Sequence, residues 1–234
     1  MTDSTTHTPS GDWRFDEAVT SVFDDMLARS IPQYEVMRSL CSTLARRYVR
    51  PGSCVLDLGS SRGRALTDLA REVDADDVRF VGLEVSRPML DAARGSNNDP
   101  RVTFLEADLR RDPLAWRTSV VMSVLTLQFV PIVYRQAILD RVRRSLQPGG
   151  AFICVEKVLG SSGDVNTLLV DEYHKLKQAN GYAPDAVEAK RQSLERVLVP
   201  LTASMNEAFF KDAGFRAVDV FWRHLNFCAW LCLP

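Results

Sequence analysis

Cys54-Val55-Leu56-Asp57-Leu58-Gly59-Ser60-Ser61-Arg62-Gly63 runs from a short apolar stretch straight into a loop of glycine and serine. The stretch follows the turn signal Pro51-Gly52 and is too short for a helix, so it predicts a buried strand. Gly59 and Gly63 let the backbone approach a ligand that a Cβ would exclude, and Ser60 and Ser61 are small enough to do the same. Beyond them Leu66, Leu69 and Ala70 recur at helical spacing. A strand, a small-residue loop and a helix open a strand-helix-strand sheet, although a short glycine motif alone also describes an ordinary tight turn.

Downstream the rhythm repeats. Residues 78–84 predict a second strand, followed by a helix capped by Ser86 with Met89, Leu90 and Ala93 facing inward. Residues 102–105 and 119–125 predict the third and fourth strands, the last nearly all apolar, as expected when helices cover both faces. A helix over 131–146 stops at Pro148-Gly149-Gly150, and 151–156 is the fifth strand. This alternation predicts a parallel sheet with helices on both faces.

The C-terminal third departs from that rhythm, with polar helices over 165–179 and 184–197 and another over 204–212. Two strands follow, 217–222 and 226–233, separated by a connection too short for a crossover helix, so they must pair antiparallel. Upstream, residues 16–49 predict two extra N-terminal helices broken near Ser30-Ile31-Pro32. The sum is a doubly wound, Rossmann-like α/β domain of the class I methyltransferase type: a seven-stranded, mostly parallel sheet ending in an antiparallel strand pair.

With 234 residues and 46% hydrophobic content the chain can bury one full core, and a single domain over 12–234 is expected. Residues 1–11 are polar and rich in Thr and Ser; they predict a disordered tail rather than a secretory signal. No apolar run is long enough to span a membrane, which predicts a cytoplasmic protein. The 29 basic and 30 acidic residues cancel to a net charge of -1, so no direct nucleic-acid partner is expected. Five cysteines and three histidines show no metal-ligand spacing, so no metal is expected and the thiols read as reduced core residues.

In an open α/β sheet the ligand lies beyond the C-terminal strand ends. Glu84 ends the second strand, where a carboxylate can accept from the ribose hydroxyls of an adenosine; it also suits the positive end of the following helix. Asp108, in Glu106-Ala107-Asp108-Leu109 after the third strand, is placed to accept from an adenine amino group, or is a solvated loop acid. The three loops together predict S-adenosylmethionine. The antiparallel terminal pair argues against a nicotinamide cofactor.

Motifs outside the generic fold carry a further resemblance: Asp12-Trp13-Arg14-Phe15-Asp16-Glu17, Val22-Phe23-Asp24-Asp25-Met26, Arg29-Ser30-Ile31-Pro32-Gln33-Tyr34, Thr126-Leu127-Gln128-Phe129, Glu156-Lys157, Ala179-Asn180-Gly181-Tyr182, Lys190-Arg191 and Ala213-Gly214-Phe215. In these the chain resembles the carboxy-S-adenosylmethionine synthases. The resemblance implies a homodimer that converts S-adenosylmethionine and the small-molecule substrate prephenate into carboxy-S-adenosylmethionine and phenylpyruvate. It implies cofactor contacts from Tyr34, the Gly59, Ser60 and Ser61 backbone, Glu84, Asp108 and Leu109, with Val85 and Val124 at neighbouring positions. It also implies that Arg191 binds the carboxylate added to the methyl group, as a guanidinium fork would. By helix pattern alone, Arg191 belongs to a charged segment whose basic residues are all solvated.

The chain departs from the family pattern at three places: Val85 and Val124 stand where Asn is common, and Glu84 where Asp is usual. Two other functions fit the same residues, a conventional methyltransferase acting on a small molecule and a noncatalytic cofactor-binding module.

Overall fold

Five apolar runs form the parallel part of the sheet: β1 (Cys54–Leu58), β2 (Arg79–Glu84), β3 (Val102–Glu106), β4 (Thr118–Val124) and β5 (Leu146–Leu159). The computed structural model describes residues 13–234, so the tail expected over 1–11 lies outside the described residues. The hairpin β7 (Ala217–His224) and β8 (Phe227–Leu233) completes the sheet in the order β3-β2-β1-β4-β5-β8-β7. β8 pairs antiparallel with both β5 and β7, as the short connection requires. A two-residue strand, β6 (Leu201–Thr202), adds to the far end of β5 beside Val158 and Leu159, an eighth strand that the sequence does not announce.

Helices α1 (Glu17–Ser30) and α2 (Tyr34–Tyr48) precede the sheet, and α3 (Arg64–Arg71), α4 (Arg87–Ser96) and α5 (Ile132–Ser145) follow β1, β2 and β4. α6 (Gly163–Ala179), α7 (Pro184–Ser193) and α8 (Ala203–Asp212) fill the C-terminal third. One core cluster joins α2 and α3 to one sheet face through Met37, Cys41, Leu66, Leu69 and Phe80. A second joins α5 and α8 to the other face through Ile138, Leu139, Phe152, Phe210 and Trp230. Helices therefore cover both faces, which explains why β1 is buried at every residue.

A third, smaller cluster, Trp13, Val19, Phe23, Met26 and Met89, seats the N-terminal segment over α4. Asp16 caps α1 by accepting from the Val19 N–H at 2.9 Å. Ser86 holds the segment down by donating its hydroxyl to the Phe15 carbonyl at 2.6 Å. Helix α7 ends at Ser193, short of residue 197, because Arg196 takes a left-handed conformation (φ 65°) that an L-residue helix does not continue. The turn lays Leu194 and Val197 onto the N-terminal cluster.

Candidate functional site

Strand order reverses between β1 and β4, and a cavity of ≈ 670 Å³ opens there beyond their C-terminal ends. That is the crevice where doubly wound sheets bind ligands, and the volume falls in the range of small-molecule sites. The loop after β1 is shaped by three left-handed residues, Gly59 (φ 71°), Ser61 (φ 48°) and Gly63 (φ 76°). A Cβ on Gly59 would lie 2.3 Å from Thr126 Cγ2, so the loops after β1 and β4 meet only because residue 59 is glycine.

Glu84 organises this loop. Its Oε1 accepts from the Val85 and Ser86 N–H groups at 2.9 and 2.8 Å, and its Oε2 accepts from the Ser61 N–H at 2.8 Å. Burial pushes its carboxyl upward in pKa while the three N–H donors pull it down. With two acceptor sites per oxygen, Oε2 keeps one for a ligand hydroxyl. Glu84 is thus both a loop brace and a cavity-facing acceptor.

Asp108 also lines the cavity, and hydrogen bonds from Arg110 hold its carboxyl down at about 2, so it remains an ionised acceptor. The Leu109 carbonyl accepts from Arg141, which fixes the Asp108-Leu109 turn. Asp57 is buried and lines the same space; burial pushes its carboxyl up to about 7, with Glu84 adding to the shift and Arg38 opposing it. Tyr34, at the start of α2, faces the cavity with its phenol pushed up to about 12 by burial. Val85 and Val124 supply apolar wall.

The structure therefore brings Tyr34, Gly59, Ser60, Ser61, Glu84, Val85, Asp108, Leu109 and Val124 to one cavity. The Ser60 hydroxyl is buried against Gly82 of β2 with no hydrogen-bond partner among the described residues, so it is the backbone of this residue that faces a ligand. Glu84, with an acceptor site to spare, and Asp108, held ionised by Arg110, both line the cavity and fit an adenosine-bearing ligand, and buried Asp57 suits one that carries positive charge.

Arg191 is not brought to this cavity. Its guanidinium forks onto Glu188 at 2.8 and 2.7 Å and reaches Glu195 at 2.7 Å on the exposed side of α7. Successive helical residues point about 100° apart, and here the buried face takes Lys190 and leaves Arg191 outward. Lys190 shares the buried face with Val187, three residues earlier, and lines the cavity. Lys157, on β5, lines it too. Neither lysine is among the expected site residues, although Glu156-Lys157 and Lys190-Arg191 both carry the family resemblance; the three-residue spacing of Val187 and Lys190 is the signal that places Lys190 on the buried face.

The loop after β4 is locked by Glu156, whose carboxylate accepts from the Leu127 and Gln128 N–H groups at 2.9 and 2.7 Å. Gln128 in turn accepts from the Lys157 N–H at 2.6 Å, which fixes the backbone from which that lysine projects.

The strand order, the terminal antiparallel pair and the cavity at the β1–β4 reversal define a class I methyltransferase fold. Residues 55–150 match the family described as "Methyltransferase domain". Human N-acetylserotonin methyltransferase, solved in complex with SAM, superposes with a TM-score of 0.61 at 14% identity, covering 93% of this chain and 55% of that one. The carboxy-S-adenosyl-L-methionine synthase of Aliivibrio fischeri is 38% identical over 221 residues, 93% of this chain and 91% of that protein. That of Desulfotalea psychrophila is 32% identical over 229 residues, 96% and 93% of the two chains. The chain belongs to the carboxy-S-adenosyl-L-methionine synthase family.

Proposed function

We propose that this protein is a carboxy-S-adenosylmethionine synthase, a transferase that moves a carboxyl group from prephenate to the methyl carbon of S-adenosylmethionine. The observation that carries the reading is a single cavity joining an adenosine-accepting wall, Ser60, Glu84 and Asp108, to a wall bearing Lys157 and Lys190. S-adenosylmethionine supplies an acidic methyl group on sulfur; the reaction balances when the ring carboxyl of prephenate replaces a methyl hydrogen and the ring hydroxyl leaves with that hydrogen as water. Glu84 and Asp108 orient the ribose and adenine, Tyr34 and Val124 close the wall around them, and the lysines attract the anionic partner.

Mass spectrometry of ligand released from the purified protein tests this reading. A carboxylated sulfonium supports it. Unmodified S-adenosylmethionine or S-adenosylhomocysteine alone, with no turnover of prephenate, overturns it, and a methylated acceptor in the same assay marks a conventional methyltransferase.

The reading includes a homodimer in the cytoplasm, and no helix among the described residues is long and apolar enough to cross a membrane. An exposed Arg191 is compatible with carboxylate binding when the carboxylate lies in the cavity of a second copy. Sedimentation gives the assembly state. Where each variant is inactive alone, mixed dimers of Arg191→Ala and Glu84→Ala chains regain activity if Arg191 acts across the interface and stay inactive if it acts within its own chain; a fully active Arg191→Ala dimer removes Arg191 from the site.

A further inference from the structure

Three lysines from three elements converge on two tyrosine rings. Lys157 of β5 and Lys177 of α6 place their ammonium groups 4.6 and 5.7 Å from the Tyr173 ring centre. Lys177 and Lys190 of α7 lie 5.0 and 5.7 Å from the Tyr182 ring. Lys190 also sits 5.1 Å from the Trp13 ring and donates to the Ser30 hydroxyl at 3.4 Å, which in turn contacts the Tyr182 hydroxyl at 3.1 Å. Lys177 and Lys190 are buried and Lys157 is half-buried. None of the ion pairs among the described residues includes any of the three.

Clustered ammonium groups removed from water repel one another, and aromatic faces lessen that cost without neutralising the charge. The burden falls on each lysine in turn: burial pushes Lys157 and Lys177 down to about 8 and Lys190 to about 7. Amines that lack an acidic partner, two of them opening onto a ligand cavity, suit an anion, whose arrival favours their charged forms. Tyr173 lines the cavity with Lys157 and Lys190, whereas Lys177 stands behind the two tyrosines.

We propose that Lys157 and Lys190, positioned by Tyr173, Tyr182 and Ser30 and reinforced from behind by Lys177, form the subsite that binds the carboxylates of the second substrate, a small organic dianion. This rests on the carboxyl-transfer reading above. Two ammonium groups on separate elements match two carboxylates, and they place the anion beside the cofactor wall of the same cavity. Lys157 and Lys190 are binding residues, and Lys177 is a positioning residue.

The test compares wild type with Lys157→Met, Lys190→Met and Lys177→Met, Met being close in volume and uncharged. The variants should raise KM for prephenate, by about tenfold or more for the two lining lysines and less for Lys177. The dissociation constant for S-adenosylmethionine should stay within about twofold, and Tm should hold or rise, because an unpaired buried charge is gone. Malonate serves as a second, nonreacting probe: it should raise the Tm of wild type and not of Lys157→Met or Lys190→Met. Prephenate turnover with unchanged KM in both lining variants overturns the subsite and leaves the carboxyl-transfer reading standing. Absence of turnover in wild type, with the malonate response present there and lost in the variants, overturns that reading and upholds the subsite. A fall in Tm with an unchanged malonate response assigns the lysines to structure and overturns the proposal.

Discussion

Glu84 Oε2 accepts the Ser61 N–H at 2.8 Å, so the carboxylate that ends β2 also sets the backbone of the loop after β1. Cofactor affinity should follow this bond. In Glu84→Gln the side-chain amide group would oppose at least one of three backbone N–H donors, leaving a buried donor unmet at a cost of about 1–3 kcal/mol. Calorimetry should show S-adenosylmethionine binding weakened about tenfold or more, with a lower Tm. Unchanged affinity would mean that Glu84 faces the cavity without serving it.

Ser61 holds φ at 48° where glycine is at ease. Ser61→Gly relieves a left-handed cost of about 1–2 kcal/mol and gives back about 0.5–1 kcal/mol in unfolded-chain entropy. Thermal unfolding should therefore show equal or slightly higher stability with cofactor affinity retained. A large loss of affinity would assign the Ser61 hydroxyl a direct contact.

Gly63 admits no such freedom. Its φ is 76°, and a Cβ there would lie 2.2 Å from the Phe104 ring. Gly63→Ala should cost about 2–3 kcal/mol or more by combining backbone strain with overpacking, read as a fall in Tm or loss of soluble protein. A variant as stable as wild type would contradict the close approach of residue 63 to the Phe104 ring of β3.

Lys190 faces Lys177, Lys157 and Arg29 from α6, β5 and α1, and burial, with those cations adding, lowers it from 10.5 to about 7. Below about pH 7 it is charged in the folded and unfolded chains and the full burial cost is present; between about 7 and 10.5 the unfolded chain binds more protons, so this contribution to stability improves as pH rises. The stabilisation gained by Lys190→Met over ligand-free wild type should thus be greatest below pH 7 and fade toward pH 10. Taking the difference between the two proteins removes the opposing trend of Glu156, whose carboxyl burial pushes up to about 8. Parallel pH profiles for the two proteins would contradict the buried charge.

The five cysteines are buried and free, and burial raises the thiols of Cys41 and Cys54 to about 12 and 11. Native protein at neutral pH should react with thiol reagents only as fast as it opens, and fully once denatured. Rapid native labelling would contradict their placement.

The sheet was legible because its evidence is local: largely apolar runs such as 54–58 and 119–124, a Pro-Gly or Gly-Gly stop beside them, and a hairpin too short for any other pairing. The cofactor wall was legible for a related reason, since a small-residue loop and an acid at successive strand ends lie at fixed places in such a fold. The basic wall was not. Lys157, Lys177 and Lys190 are separated by up to 33 residues and meet only in the folded chain. In the ten-residue helix α7 the choice between Lys190 and Arg191 depends on helical phase, which a segment so short and so charged defines poorly. Val187 and Lys190 share the buried face of α7, so within one chain Lys190 lines the cavity and Arg191, the residue to which the resemblance points, lies on the exposed side.

The most direct measurement is a single assay of purified protein with methyl-labelled S-adenosylmethionine and prephenate, followed by mass spectrometry and NMR of the products. Carboxyl transfer predicts phenylpyruvate and a carboxylated sulfonium in equal amounts, with the label retained on the carbon that gained the carboxyl group. Label passed to an acceptor with release of S-adenosylhomocysteine, or S-adenosylmethionine recovered unchanged beside intact prephenate, would contradict it.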